Sequence, residues 1–134
     1  MTGENRLANA QAEIAAAKDA LRVAEAALSL GIRRDAMSRT YYAAFHAARA
    51  LLLLEGLEPK THAGLQRMLG EYLVRGGRIE AHDALLLTRL QAYRAASDYS
   101  YAFEIGAADA EGELSAARAF VGRAASAVAA LGSG

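Results

Sequence analysis

Apolar residues recur along the chain at helical spacing. Over residues 4–30, Leu7, Ile14, Leu21 and Leu28 return every seven positions, and Ala10, Ala17 and Ala24 follow the first three by three. This predicts a long amphipathic helix with a narrow seam, in which alanine lets a neighbouring helix approach closely, as in a tight antiparallel pair or a dimer contact. Gly31 is placed to end it with a left-handed cap. A second helix is expected over 33–55, closed by Gly56 and by Pro59, the only proline. After a loop over 57–61, a third is expected over 62–74 before Gly76 and Gly77, and a fourth over 80–103 before Gly106. A fifth over 110–131 carries Leu114, Phe120, Val121, Val128 and Leu131, weakened by Gly112 and Gly122, because glycine costs about 1 kcal/mol relative to alanine in a helix interior. Short connections between long helices favour antiparallel neighbours. The expected fold is therefore all-α, an up-and-down antiparallel bundle of about five helices, with one domain over 1–131 and a disordered tail over 132–134.

Composition agrees. The 134 residues are 54% hydrophobic, sufficient for one core, and lack the β-branched and aromatic runs of strands. Lys plus Arg and Asp plus Glu number 15 each, so binding to nucleic acid or anionic lipid would have to come from a local patch. No cysteine is present, which rules out disulfides, thiolate catalysis and Cys-ligated metal, and suits a reducing cytosol. The polar start and the lack of about 18 uninterrupted apolar residues lead us to expect a soluble, cytoplasmic protein with no membrane segment.

Chemistry concentrates in SRTYYAAFHAARALLLLEG, residues 38–56. At helical spacing Tyr41, Ala44, Phe45, Ala48, Leu51 and Leu52 form one apolar face, while Arg39, Tyr42, Ala43, His46 and Arg49 fall on the other side. Arg39 and His46 are two turns apart and project in nearly the same direction. The stripe joins bidentate anion binders, an imidazole that titrates near neutrality and a phenol, a combination suited to phosphate. The same residues also serve as packing with satisfied polar tips, with Arg49 paired to a carboxylate on a neighbouring helix. In the fourth helix Arg94 and Asp98 form an i, i+4 pair, and Tyr93, Tyr99 and Tyr101 offer a bulky rim for an interface or for stacking on bases. Thr61 reads as an N-cap of the third helix, with Lys60 beside it as a candidate phosphate contact. His46, His62 and His82 fall on three different predicted helices without a Glu-x-x-His, so no metal site is expected, and without a phosphate-cradling glycine loop no cofactor is either.

SRTYYAAFHAARALL, GLEPKTHAGL, the break at Gly76 and Gly77, and RAASDY together resemble the HEPN domain family, in particular its small stand-alone UPF0332 branch, over about residues 33–99. The resemblance implies a bundle of about five helices that dimerises. In many members it also implies a metal-independent ribonuclease whose arginine and histidine, about four to six residues apart, meet across the dimer, often as a toxin beside a minimal nucleotidyltransferase antitoxin. Arg39 and His46 have that spacing, in an earlier helix than is usual in the family. Arg94, in the later helix, is followed at the permitted spacings by Tyr99, Ser100 and Tyr101, which leaves the late motif without its histidine. The position two residues beyond His46, where some family toxins carry a tyrosine modified with AMP, is Ala48. Two readings follow. One is a non-catalytic dimerising module that partners a minimal nucleotidyltransferase and binds nucleotide or RNA, with Arg94, Asp98 and Tyr99 organising the contact. The other is a metal-independent endoribonuclease that uses Arg39 and His46, with Tyr42 and Arg49 holding RNA.

Overall fold

Every described element is helical. The computed structural model describes residues 3–99 and 104–133, with side chains over 5–97 and 104–132. The elements are α1 (Gly3–Ser29), α2 (Arg33–Leu54), α3 (His62–Met68) continued by a π-helical turn (Leu69–Val74), α4 (Ala81–Tyr99) and α5 (Ala107–Ser133). This is the expected all-α bundle, and no strand occurs among the described residues.

The helix ends follow from glycine. Gly31, with φ +78°, and Gly56, with φ +79°, sit just past the ends of α1 and α2 in the left-handed region open to glycine at little cost. At each, the amide one residue on reaches back five positions, Ile32 to the carbonyl of Ala27 and Leu57 to that of Leu52, both at 2.9 Å. That bond satisfies carbonyls the helix leaves over. Gly77 repeats the device, with Arg78 donating to Leu73.

α2 is the axis of the bundle. Twelve of its 22 residues are buried, so more than one flank must be covered. α1 packs along it most extensively, through the seam Ala10, Ile14, Ala17, Leu21 and Ala24, and α5, α4 and the α3 segment cover the rest. Alanines at 36, 43, 44, 47, 48 and 50 have no exposed surface, which lets those neighbours come close. Ala43, assigned by the sequence to the polar side, is thus fully buried. A single apolar face suits a helix with one partner, and α2 has several. The hydroxyl of buried Thr40 is satisfied by donating to the carbonyl of Ala36 at 2.7 Å.

Two boundaries differ from expectation. The third helix widens into a π turn, where the amide of Arg75 reaches the carbonyl of Gly70 five residues back at 3.3 Å. The wider turn keeps Leu65, Leu69 and Leu73, all buried, more nearly in line than an α-helix would. α5 starts at Ala107 and continues through Gly132 to Ser133, so residues 132 and 133 belong to the helix and not to a tail. Alanine-rich propensity carries it across Gly112 and Gly122. α5 is also long and apolar enough, by length and composition, to cross a membrane. Its buried positions Ala110, Leu114, Ala117, Val121, Ala124 and Val128, spaced by three and four, instead pack on the core. Its charges serve the fold: Glu113 accepts two hydrogen bonds from Arg89, at 3.0 and 2.9 Å, and Arg123 donates to the buried carboxylate of Asp83 on α4.

Candidate functional site

The outer stripe of α2 faces α1 on one side and the start of α3 and α4 on the other. Near its C-terminal end the cations meet carboxylates. The carboxylate of Glu13 on α1 accepts a 2.6 Å hydrogen bond from Nδ1 of His46. In the neutral ring this fixes the proton on Nδ1 and makes Nε2 the acceptor. The other oxygen of Glu13 lies 3.4 Å from Nε of Arg49, an electrostatic contact longer than a good hydrogen bond. Nη2 of Arg49 is 3.9 Å from Glu58, which is 3.5 Å from Nζ of Lys60. Arg49 therefore has the carboxylate on a neighbouring helix that its packing reading requires, and Lys60 is held beside an acid. Thr61 caps α3 as expected, accepting from the amide of Gly64 at 2.8 Å.

One to two turns toward the N-terminus of α2 the surroundings change. Arg39, Tyr42 and His46 line one shallow groove of about 440 Å³ with Ala16, Asp19, Ala20 and Val23 of α1. The structure thus brings the two catalytic candidates, Arg39 and His46, to the same groove. Arg39 is exposed and its guanidinium lies 5.9 Å from the centre of the Tyr42 ring. Arg94, from α4, reaches the same ring at 5.0 Å and that of Tyr41 at 5.6 Å. Among the described residues no carboxylate pairs with Arg39 or Arg94. The two constellations read separately from the sequence therefore meet at Tyr42. The side chains of Asp98 and Tyr99, and all of Tyr101, lie outside the described residues, while Tyr93 lines a different pocket with Arg33 and Arg34.

A further residue joins them. The first residue of α3, His62, shares a short hydrogen bond through Nδ1 with the hydroxyl of Tyr41. Burial pushes the Tyr41 phenol up to about 12, only partly offset by the charge of Arg94, so it remains the donor and Nδ1 accepts. The His62 imidazole is held below its ordinary value by partial burial and then by the positive charge of Arg94. Its neutral form therefore carries its proton on Nε2. The Phe45 ring lies 4.7 Å from that of His62 and 5.6 Å from that of His46. A continuous strip of rings and cations results, from His46 through Phe45, His62, Tyr41 and Arg94 to Tyr42 and Arg39. In the sequence His62 stood out only as a helix start beside a capping threonine, and Glu13 as one polar residue of α1. No spacing rule connects either to the stripe. Among the described residues, no group of three or more His, Asp or Glu could hold a metal ion.

The HEPN domain model matches residues 10–126. The chain belongs to the HEPN family. Similar proteins include "Putative toxin MJ0605" of Methanocaldococcus jannaschii, 41% identical over 90 residues, 67% of each chain. "UPF0332 protein PH1297" of Pyrococcus horikoshii is 51% identical over 61 residues, 46% of this chain and 43% of the relative. A UPF0332 protein of Archaeoglobus fulgidus is 35% identical over 99 residues, 74% of this chain and 78% of the relative. The chain thus spans less than half of the Pyrococcus protein and about two thirds of the Methanocaldococcus one.

Within the HEPN match lie all five helices in whole or in part, Glu13 and His62 as well as the stripe of α2 and Arg94 of α4. HEPN membership therefore covers both ends of the strip. What the strip does has to be argued from its chemistry.

Proposed function

We propose that this HEPN chain is a non-catalytic, dimerising interaction module, the partner of a minimal nucleotidyltransferase in a two-component, toxin–antitoxin-like system, and that it binds nucleotide or RNA. The observation that carries this reading is the internal pairing of the cations nearest the candidate histidine. Glu13 holds both His46 and Arg49, and Glu58 stands between Arg49 and Lys60. An RNA-cleaving groove needs cations free for the backbone, since phosphate contacts supply most of the affinity. Here much of that charge is spent within the chain, and the net charge is zero. The relatives named as toxins support the two-component setting.

A metal-independent endoribonuclease is the second reading, favoured by one contact. With Nδ1 of His46 donating to Glu13, Nε2 is presented as a base and the carboxylate would stabilise the imidazolium that forms. In that chemistry Nε2 takes the proton of a ribose 2′-hydroxyl and the 2′-oxygen attacks the adjacent phosphorus. The 5′-oxygen leaves with a proton from water, giving a 2′,3′-cyclic phosphate. Arg39, on the same groove, would neutralise charge on the phosphoryl oxygens.

Incubation of the protein with mixed RNA in EDTA, beside Arg39→Ala and His46→Ala, separates the two. The module reading expects no cleavage by any of the three, together with a stable complex by size exclusion when the chain is coexpressed with a nucleotidyltransferase encoded beside it. Cleavage by the wild type that both substitutions abolish would overturn it in favour of the nuclease.

A further inference from the structure

The first turn of α3 and the turns that follow it are held to the bundle in different ways. Leu65, Leu69 and Leu73 are buried in the core, whereas Thr61, His62 and Ala63 are exposed. What fastens the exposed turn is the His62 ring, which lies against two rings of α2. Its centre is 5.6 Å from that of Tyr41, with the planes 27° apart, and 4.7 Å from that of Phe45. Its Nδ1 accepts the hydrogen bond of the Tyr41 hydroxyl. Tyr41 is only 2% exposed, and the His62 ring is part of its cover.

This fastening depends on a neutral imidazole. A proton on Nδ1 would turn the acceptor into a donor facing the phenol, which burial keeps protonated. The phenol oxygen could then only accept, and its own O–H would be left without a partner in a buried place, which is costly. The imidazolium would also be a second cation against the Tyr41 ring, since Arg94 already lies 5.6 Å from its centre. Among the described residues, the titratable and charged groups facing His62 are the Tyr41 and Tyr42 phenols of α2 and Arg94 of α4. In the preceding loop Lys60 is paired with Glu58, and His46 meets the strip through Phe45. Along the segment itself Arg67 and Glu71 are more than one and two turns away. Burial and then Arg94, the two influences on the protonation of His62, both oppose its charged form.

We propose that His62 is an acid-released latch, which in its neutral form fastens the first turn of α3 over Tyr41 and Phe45 and on protonation frees that turn and uncovers both rings. The three leucines keep the rest of the segment seated. Opening is therefore confined to the turn that Thr61 caps, where the amide of Gly64 donates to the Thr61 hydroxyl at 2.8 Å and that of Leu65 to the Thr61 carbonyl at 2.9 Å. The latch requires neither the module reading nor the nuclease one.

The test is hydrogen exchange of the full chain, followed by NMR between about pH 8 and about pH 5. Protection of the Gly64 and Leu65 amides, corrected for the intrinsic exchange rate at each pH, should fall by about tenfold or more toward acid, and the Tyr41 ring resonances should move with it. The midpoint should lie below the ordinary histidine value of 6.5, and the Leu69 and Leu73 amides should keep their protection. His62→Gln, neutral throughout, should abolish the step. Arg94→Gln should move its midpoint upward, because removing a positive neighbour eases protonation, and Tyr41→Phe should do the same by removing the bond to the neutral ring. Protection unchanged between the two pH values overturns the proposal, as does a step that persists in His62→Gln or ignores Arg94→Gln. A fall shared equally by Leu69 and Leu73 overturns it too, since the whole segment would then be opening.

Discussion

The two ends of the α2 stripe use the same residue types for opposite purposes. At the His46 end an imidazole and a guanidinium share Glu13, with Glu58 and Lys60 continuing the chain of charges. At the Arg39 end, one to two turns away, two guanidiniums share a tyrosine ring. α1 offers Glu13 to the first, and α4 brings a second cation to the other. The stripe is one face of one helix, but its chemistry is divided by what each neighbouring helix contributes. Cations matched by carboxylates stabilise the fold, whereas cations set on aromatic rings keep most of their charge for something outside it.

The contrast predicts different responses to pH and to substitution. The largest effect belongs to Tyr41, which supports the open end. Its phenol, ordinarily near 10, is pushed up to about 12 in the folded chain. Above about pH 10 the unfolded chain loses this proton while the folded chain keeps it, so stability falls as pH rises toward 12, by about 2 kcal/mol when the shift is fully expressed. Urea unfolding of the wild type and of Tyr41→Phe across alkaline pH measures it. The substitution should cost about 1 kcal/mol at neutral pH by removing the bond to His62, and the two curves should converge and cross as pH rises. A difference that stayed constant with pH would sink the assignment. His62 acts on the acid side with the opposite sense: its folded value is lowered, so stability declines as pH falls through its unfolded value of about 6.5. Its exposure keeps that effect small.

The paired end is tested next. Glu13→Ala leaves the half-buried His46 and Arg49 without their shared carboxylate, and should destabilise the protein by about 1–2 kcal/mol. Arg94→Gln at the open end loses, among the described residues, its cation–π contacts with Tyr41 and Tyr42 and should cost less, about 0.5–1 kcal/mol. Denaturant midpoints at neutral pH decide between them. If Arg94→Gln cost more than Glu13→Ala, the division into a paired and an open end would be wrong.

What the sequence revealed, and what it did not, follows the same line. The seam Leu7, Ala10, Ile14, Ala17, Leu21 and Ala24 was readable because α1 turns one narrow face to the bundle, and periodicity along a chain reports a single face well. Gly31 and Gly56 were readable because a positive φ past a helix end is a local requirement. Ala43 was misplaced because α2 is covered on several flanks, where the apolar arc outgrows a two-sided description. Arg39, Tyr42 and His46 were found together since helical spacing alone aligns them. Glu13 was missed as the partner of His46, and His62 as that of Tyr41, because those contacts span 33 and 21 residues, through packing that no local pattern encodes.

The smallest predicted effect is the most direct check on whether the two ends are electrically separate. Glu58→Gln removes a carboxylate 3.5 Å from Lys60, whose side chain is 79% exposed, and 3.9 Å from Arg49. Exposed pairs at such distances contribute about 0.2–0.5 kcal/mol, so the unfolding midpoint should barely move. The substitution nevertheless adds one net positive charge to the His46 end. At physiological ionic strength charges are screened over about 8 Å, and Arg39 stands ten positions before Arg49 on α2, about 15 Å along the helix axis. The stability change on Arg39→Gln should therefore be the same in the wild type and in the Glu58→Gln background to within about 0.3 kcal/mol at that ionic strength. A much larger coupling would mean that both ends share one field and that the division between them is wrong. Urea midpoints of Glu58→Gln, Arg39→Gln and the double variant measure the coupling, and repeating them at low ionic strength, where screening reaches farther, should raise it if charge alone carries it.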